Sequence, residues 1–111
     1  MMFGLGGRKH EELSAAELAD LLADGRALVV DVREPDEFAA GHIPGSQNLP
    51  LSRFSPERLP AAGKRRLVLT CLGGKRSGMA LDRCRAAQAT VDTHLAGGFG
   101  AWTAAGLPVE R

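Results

Sequence analysis

The chain has 111 residues, 44% of them apolar and 24% charged, and its formal net charge is +1. That is enough for one domain with a true core, and it offers no global attraction to a polyanion. One Trp, no Tyr and four Phe leave no basic stripe with aromatic platforms, so a nucleic-acid partner is not expected, and no apolar run approaches the roughly 20 residues of a membrane span.

In chain order, residues 1–10 read as a flexible, Gly-containing lead-in without a signal-peptide pattern, and residues 11–111 as the domain. "LSAAELADLLADG" predicts a helix capped by Ser14, with Glu17 closing a capping box and Leu18, Leu21 and Leu22 on one face. "ALVVDV" predicts a strand buried on both faces, as in a parallel sheet. "EPDEFAAG" is a short helix with Pro35 in its first turn and Gly41 at its end. A short strand near Gln47 to Leu49 and a helical turn ending near Pro60 precede the clear strand "RRLVLTC". A helix is expected from Ser77 to about Gln88, with Ala80, Leu81, Cys84 and Ala87 on its apolar face. "TVDTHLAGG" reads as a strand entering a glycine turn, and "FGAWTAAG" as a last helix with Trp102 in the core. This alternation predicts an α/β fold: a mostly parallel central sheet with helices on both faces.

Core packing does not call for the order "CLGGKRS", Cys71 to Ser77, between a strand and a helix. Gly73 and Gly74 are expected to take positive φ and turn the chain so that several N–H groups point into one hollow. The helix beginning near Ser77 adds free N–H groups and the positive end of its dipole. A thiol held there ionises more easily than an ordinary one. Lys75 and Arg76 bring formal positive charge, which suits an anionic substrate. Cys84, on an apolar helix face, reads as core filler. The two cysteines are too few for a disulfide scaffold, so the expected compartment is a reducing cytoplasm. Asp31 and Arg33 read as supporting residues that pair with each other or with loop backbone. His42 orders the turn at Ile43-Pro44-Gly45. With His94 in the late strand and His10 in the lead-in, the three His are scattered and make no metal site.

These residues carry a resemblance. "CLGGKRS" is similar to the C-x-x-G-x-R-S active-site loop of the rhodanese-like sulfurtransferases. "VVDVREPDEFAAGHIPGSQNLPL" resembles that family's D-V-R…E-F…G-H-I-P-G-A stretch, with Ser46 where Ala is usual, and "LAGGFGAW" resembles its G-G-x-x-A-W ending. The likeness runs from about Glu12 to Pro108. It departs at Gln88 and Ala89, where many members have a Gly-aromatic pair.

The resemblance implies a single rhodanese-like domain in which Cys71 takes a sulfane sulfur from thiosulfate or a similar small anionic donor. Cys71 then holds it as a persulfide and yields it to a thiol or cyanide. It implies that the backbone N–H groups of Leu72, Gly73, Gly74, Lys75, Arg76 and Ser77 hold the persulfide anion, and that Arg76, which matches the motif, attracts the donor more than Lys75 does. Because the attacking group is a thiolate and sulfite leaves readily, no general base and no cofactor is called for. Two alternatives stand beside it. One is a relay or docking module served by a protein sulfur donor or acceptor. The other is a phosphatase or arsenate reductase on the same scaffold, for which C-x5-R is the pattern; only four residues separate Cys71 from Arg76.

Overall fold

The computed structural model describes residues 10–111. Its strands are β1 (Glu11–Leu13), β2 (Ala27–Asp31), β3 (Gln47–Asn48), β4 (Arg66–Thr70) and β5 (Thr93–Leu95); its helices are α1 (Ala15–Ala23), α2 (Pro35–Ala40), α3 (Lys75–Ala86) and α4 (Gly98–Ala104). The strands form one sheet in the order β1-β5-β4-β2-β3, and every pair is parallel. No helix among the described residues is long and apolar enough to cross a membrane.

β2 is buried along its whole length, and alternation along the central strands splits the core into two layers. Ala27, Val29 and Val68 face Leu18 of α1 and Trp102 of α4. Val30, Val32 and Leu69 face Ala80, Leu81 and Cys84 of α3 and Phe54. Helices therefore cover both faces, as an all-parallel sheet requires. Trp102 is buried as expected, and its indole Nε1–H donates to the Pro108 carbonyl at 2.7 Å.

Local signals set most of the boundaries. Ser14 Oγ accepts from the Glu17 amide at 3.1 Å, and the Glu17 carboxylate accepts from the Ser14 amide at 2.8 Å. α2 begins at Pro35, and Gly41 is its C-cap. Several expectations need correction. β1 was not foreseen: it has only three residues, two of them Glu, and exists by pairing Glu11 with Thr93, Glu12 with His94 and Leu13 with Leu95. α3 starts two residues before Ser77, because left-handed Gly74 (φ +112°) is its N-cap; it ends at Ala86, which leaves Ala87 exposed rather than on the apolar face. A 3-10 turn at Leu51–Arg53 precedes the expected one at Pro56–Arg58. His10, read as part of the lead-in, has a nearly buried ring whose Nε2 lies 2.9 Å from Asp82 Oδ1; Met1 to Lys9 lie outside the described residues.

The capping box makes a direct prediction. Ser14→Ala removes the acceptor for an otherwise unpaired helix amide and lowers stability by about 1 kcal/mol, read as a shift in urea midpoint at unchanged slope.

Candidate functional site

β4 ends at Thr70, and Cys71 is the first residue beyond its carboxyl end, where ligands of parallel α/β sheets bind. The side chain is only 1% exposed, and one side of it belongs to the core layer of Leu69, Ala80 and Leu81. Its sulfur is nonetheless met by polar groups. Sγ accepts from the Gly74 amide at 3.0 Å and lies 3.6 Å from Ser77 Oγ. Burial pushes the Cys71 thiol up. The Ser77 hydroxyl and the amides of Ser77, Gly74 and Gly73 outweigh it and hold the group below the ordinary thiol value. Cys84 is the contrast: it has burial alone, which pushes its thiol up.

The loop is clamped from two directions. Gly74 supplies the left-handed residue that turns the chain into α3; Gly73, contrary to expectation, does not take positive φ. From the other side, the start of α4 grips the loop carbonyls: the Phe99 amide donates to Cys71 O at 2.7 Å and the Gly100 amide to Leu72 O at 2.9 Å. Gly98 makes this approach feasible. It sits at φ +59°, and a Cβ there would come within 2.4 Å of Cys71 O and 2.6 Å of Leu72 O.

Arg76 does not stand free beside the sulfur. Its guanidinium forms a bidentate pair with Glu37 of α2, at 2.7 and 3.0 Å. The Arg76 hydrogen bond holds the Glu37 carboxyl down at about 2 against the opposing effect of burial, and the Glu37 hydrogen bond raises the Arg76 guanidinium in return. Lys75, at the first position of α3, is exposed. The expectation that Arg76 is an open anion-binding cation is therefore revised: Arg76 ties α3 to α2, and Lys75 is the unburied cation of the loop.

Asp31 and Arg33 are buried and paired. The Arg33 Nη2–H groups donate to Asp31 Oδ2 at 2.8 Å and to the Gly41 carbonyl at 2.7 Å, and the guanidinium lies 4.4 Å over the Phe99 ring. The pair thus joins the end of β2 to the end of α2 and to α4. His42 Nδ1–H donates to the Phe38 carbonyl at 2.7 Å, and its ring stacks on Phe38. The His42 ring thus packs on α2 and, through Nε2, lies 3.4 Å from Glu110 Oε1, rather than bonding to the Ile43-Pro44-Gly45 turn.

Sequence reasoning passed over one residue of the site. His94 of β5 is buried, and its Nδ1 lies 2.8 Å from Ser77 Oγ, the hydroxyl beside the Cys71 sulfur. Its other nitrogen, Nε2, lies 3.4 Å from the Glu12 carboxylate. Burial pushes the His94 imidazole below its usual value; Glu12 opposes this and His10 adds to it. A lone His inside a short strand carries no local signal of such a role.

Two predictions follow from the clamp and the ion pair. Gly98→Ala drives a methyl into two carbonyl oxygens at a left-handed residue; it should cost about 2–3 kcal/mol in urea unfolding and slow Cys71 alkylation. Glu37→Gln should lower stability by about 1 kcal/mol at pH 7, a figure already discounted because both side chains are about a third exposed. A depressed carboxyl stabilises above its unfolded value near 4.3, so this difference closes as pH falls from about 4.3 to about 2.

Known proteins share this fold. The family model "Rhodanese-like domain" matches residues 14–105. A Synechocystis protein named slr1261 is 45% identical over 94 residues, 85% of this chain, and the match spans about half (52%) of that protein's length. Human thiosulfate:glutathione sulfurtransferase is 35% identical, over 81% of this chain and 90% of that one. A rice protein named arsenate reductase 2.2 is 36% identical, over 89% of this chain and 86% of that one. The crystal structure of a rhodanese-related protein from Thermoplasma volcanium superposes with a TM-score of 0.75 at 29% identity, covering 91% of this chain and 98% of the other. Parallel sheet, cradled cysteine and matched family model together establish that the chain belongs to the rhodanese-like domain family.

Proposed function

We propose that the protein is a sulfurtransferase: Cys71 takes a sulfane sulfur from thiosulfate or a similar anionic donor, carries it as a persulfide, and passes it to a thiol or cyanide. The observation that carries this reading is the Cys71 sulfur 3.0 Å from the Gly74 amide in a loop whose donors hold the thiol below its ordinary value. In the first step the Cys71 thiolate attacks the outer sulfur of thiosulfate. A Cys71 S–S bond forms, the S–S bond of the donor breaks, and its electron pair leaves on sulfite. In the second step an acceptor thiolate attacks the outer sulfur of the persulfide, and Cys71 departs as thiolate.

The transferred sulfur would sit a disulfide-length bond of about 2.05 Å beyond Sγ, where the Gly74 amide already donates to Cys71. Preorganised N–H donors stabilise its negative charge without having to reorient. Lys75 and the amino end of α3 favour approach of a dianion, while Arg76, held by Glu37, keeps the first turn of α3 in place and adds to the field at Cys71. Asp31, Arg33 and His42 act as supports rather than reagents. A reducing compartment such as the cytoplasm suits this chemistry, because both cysteines are free thiols.

A second reading has its own support. Leu72, in the loop, is 50% exposed, and Met79, in α3, is 42% exposed. Large apolar side chains beside a reactive loop suit a protein partner that delivers or receives the sulfur. Arsenate reduction finds support in the rice relative's name alone, and the four-residue spacing from Cys71 to Arg76 speaks for the smaller sulfur cargo.

Intact mass after thiosulfate treatment decides among these. The expected result is one added sulfur atom, released by cyanide and absent in Cys71→Ser. An adduct formed only from a protein desulfurase selects the relay, and turnover of arsenate without any adduct selects the reductase. Alkylation of Cys71 should rise with pH through a midpoint below about 8.5, since a lowered thiol is ionised above its shifted value. A midpoint at or above that of a free thiol contradicts the reading.

A further inference from the structure

A continuous line of polar groups runs from the Cys71 sulfur to the sheet edge. Cys71 Sγ is 3.6 Å from Ser77 Oγ, Ser77 Oγ is 2.8 Å from His94 Nδ1, and His94 Nε2 is 3.4 Å from Glu12 Oε2. Four elements meet in it: the end of β4, the first turn of α3, β5 and β1. All but Glu12 are buried, and a buried imidazole between a hydroxyl and a carboxylate is held in one orientation.

We propose that His94 is a positioning residue for Cys71: acting through Ser77, its Nδ1 receives the proton of the thiol as the sulfur becomes a nucleophile, and Glu12 holds the imidazolium that results. The proposal rests on the reading of Cys71 as the attacking group.

The transfer balances. The S–H bond of Cys71 breaks and its electron pair stays on sulfur. That proton goes to Ser77 Oγ, while the hydroxyl's own proton goes to His94 Nδ1. Ser77 then presents an O–H to the new thiolate, the donor its charge requires. When Cys71 later departs as thiolate, the same path returns the proton.

The surroundings favour an imidazole that begins neutral. Burial lowers it, as does His10, whose ring stands edge-on with centroids 6.0 Å away and which is itself held by Asp82. Glu12 then stabilises the charged form once the proton arrives. The groups facing His94 are Glu12 from β1, His10 just before it, and Ser77 from α3, with Asp82 behind His10. The hydroxyl proton has a second acceptor, the Gly74 carbonyl at 3.2 Å. If it rests there, His94 Nδ1–H donates to Ser77 and no relay operates.

The two arrangements differ in pH profile. With the relay, the pair thiol and imidazole converts to thiolate and imidazolium with no net proton loss. The rate of Cys71 attack then levels off between the two titrations instead of falling tenfold per pH unit. The test is the rate of Cys71 alkylation by iodoacetamide, followed by mass spectrometry on the Cys71 peptide, at pH 6.5 and pH 9. His94→Asn keeps a hydrogen-bonding group near Ser77 but cannot store a proton. It should slow alkylation about tenfold at pH 6.5 and leave pH 9 within about twofold. Glu12→Gln, a milder change at a partly exposed site, should show the same pattern at about threefold, and it decides the matter if His94→Asn does not fold. Equal losses at both pH values, or none, overturn the relay. Iodoacetamide needs no sulfur donor, so a relay pattern without a thiosulfate adduct refutes the sulfurtransferase reading alone. An adduct without the pattern refutes the relay alone.

Discussion

The site is organised around a thiol set where water hardly reaches it and met there by hydrogen-bond donors. Cys71 is all but sealed, and an unpaired buried charge costs several kcal/mol. Hydrogen bonds to a charged acceptor contribute about 1.5–3 kcal/mol each, and here the Gly74 amide is joined by the Ser77 hydroxyl and the Gly73 and Ser77 amides. This balance explains why the thiol lies below its ordinary value despite burial. It also fits the loop's constraints: Gly74 is left-handed, and the Phe99 and Gly100 amides of α4 hold the Cys71 and Leu72 carbonyls.

Positive charge around the loop is arranged differently from the impression the composition leaves. Both arginines near the site are neutralised by bidentate partners, Arg33 by Asp31 and Arg76 by Glu37. Their planar forks act as braces between elements. The potential at the sulfur is therefore mainly that of oriented amides and the α3 terminus, to which the paired Arg76 still adds. Amides fixed by the fold do not titrate, so this potential persists across the working pH range.

The parallel sheet makes the convergence possible. Because every strand runs the same way, Asp31, Cys71 and the glycines after β5 all emerge at one end. The strand register then sets which side chains meet. Pairing of Glu12 with His94 across β1 and β5 brings a carboxylate to the far side of the imidazole, and α3, docked on β4 and β5, brings Ser77 to its near side.

Whatever depends on neighbours within a turn or two could be read along the chain. The α1 capping box, the Pro35 start of α2, the apolar strands at the centre and the glycine turn after Cys71 were all legible, because capping, alternation and left-handed backbone are local properties. So was the family, since its motifs are contiguous. Which distant groups face one another was set by the packing of the elements. Arg76 and Glu37 are 39 positions apart, and Ser77 and His94 are 17 apart. Nothing in either segment distinguishes a free guanidinium from a paired one, or a core histidine from one aimed at a reactive loop. β1 shows the same limit at the level of backbone: three residues with two glutamates have no strand signal of their own and become a strand because β5 offers an open edge. Periodicity records which face a residue turns to the core; register and docking, set by the whole fold, choose its partner there.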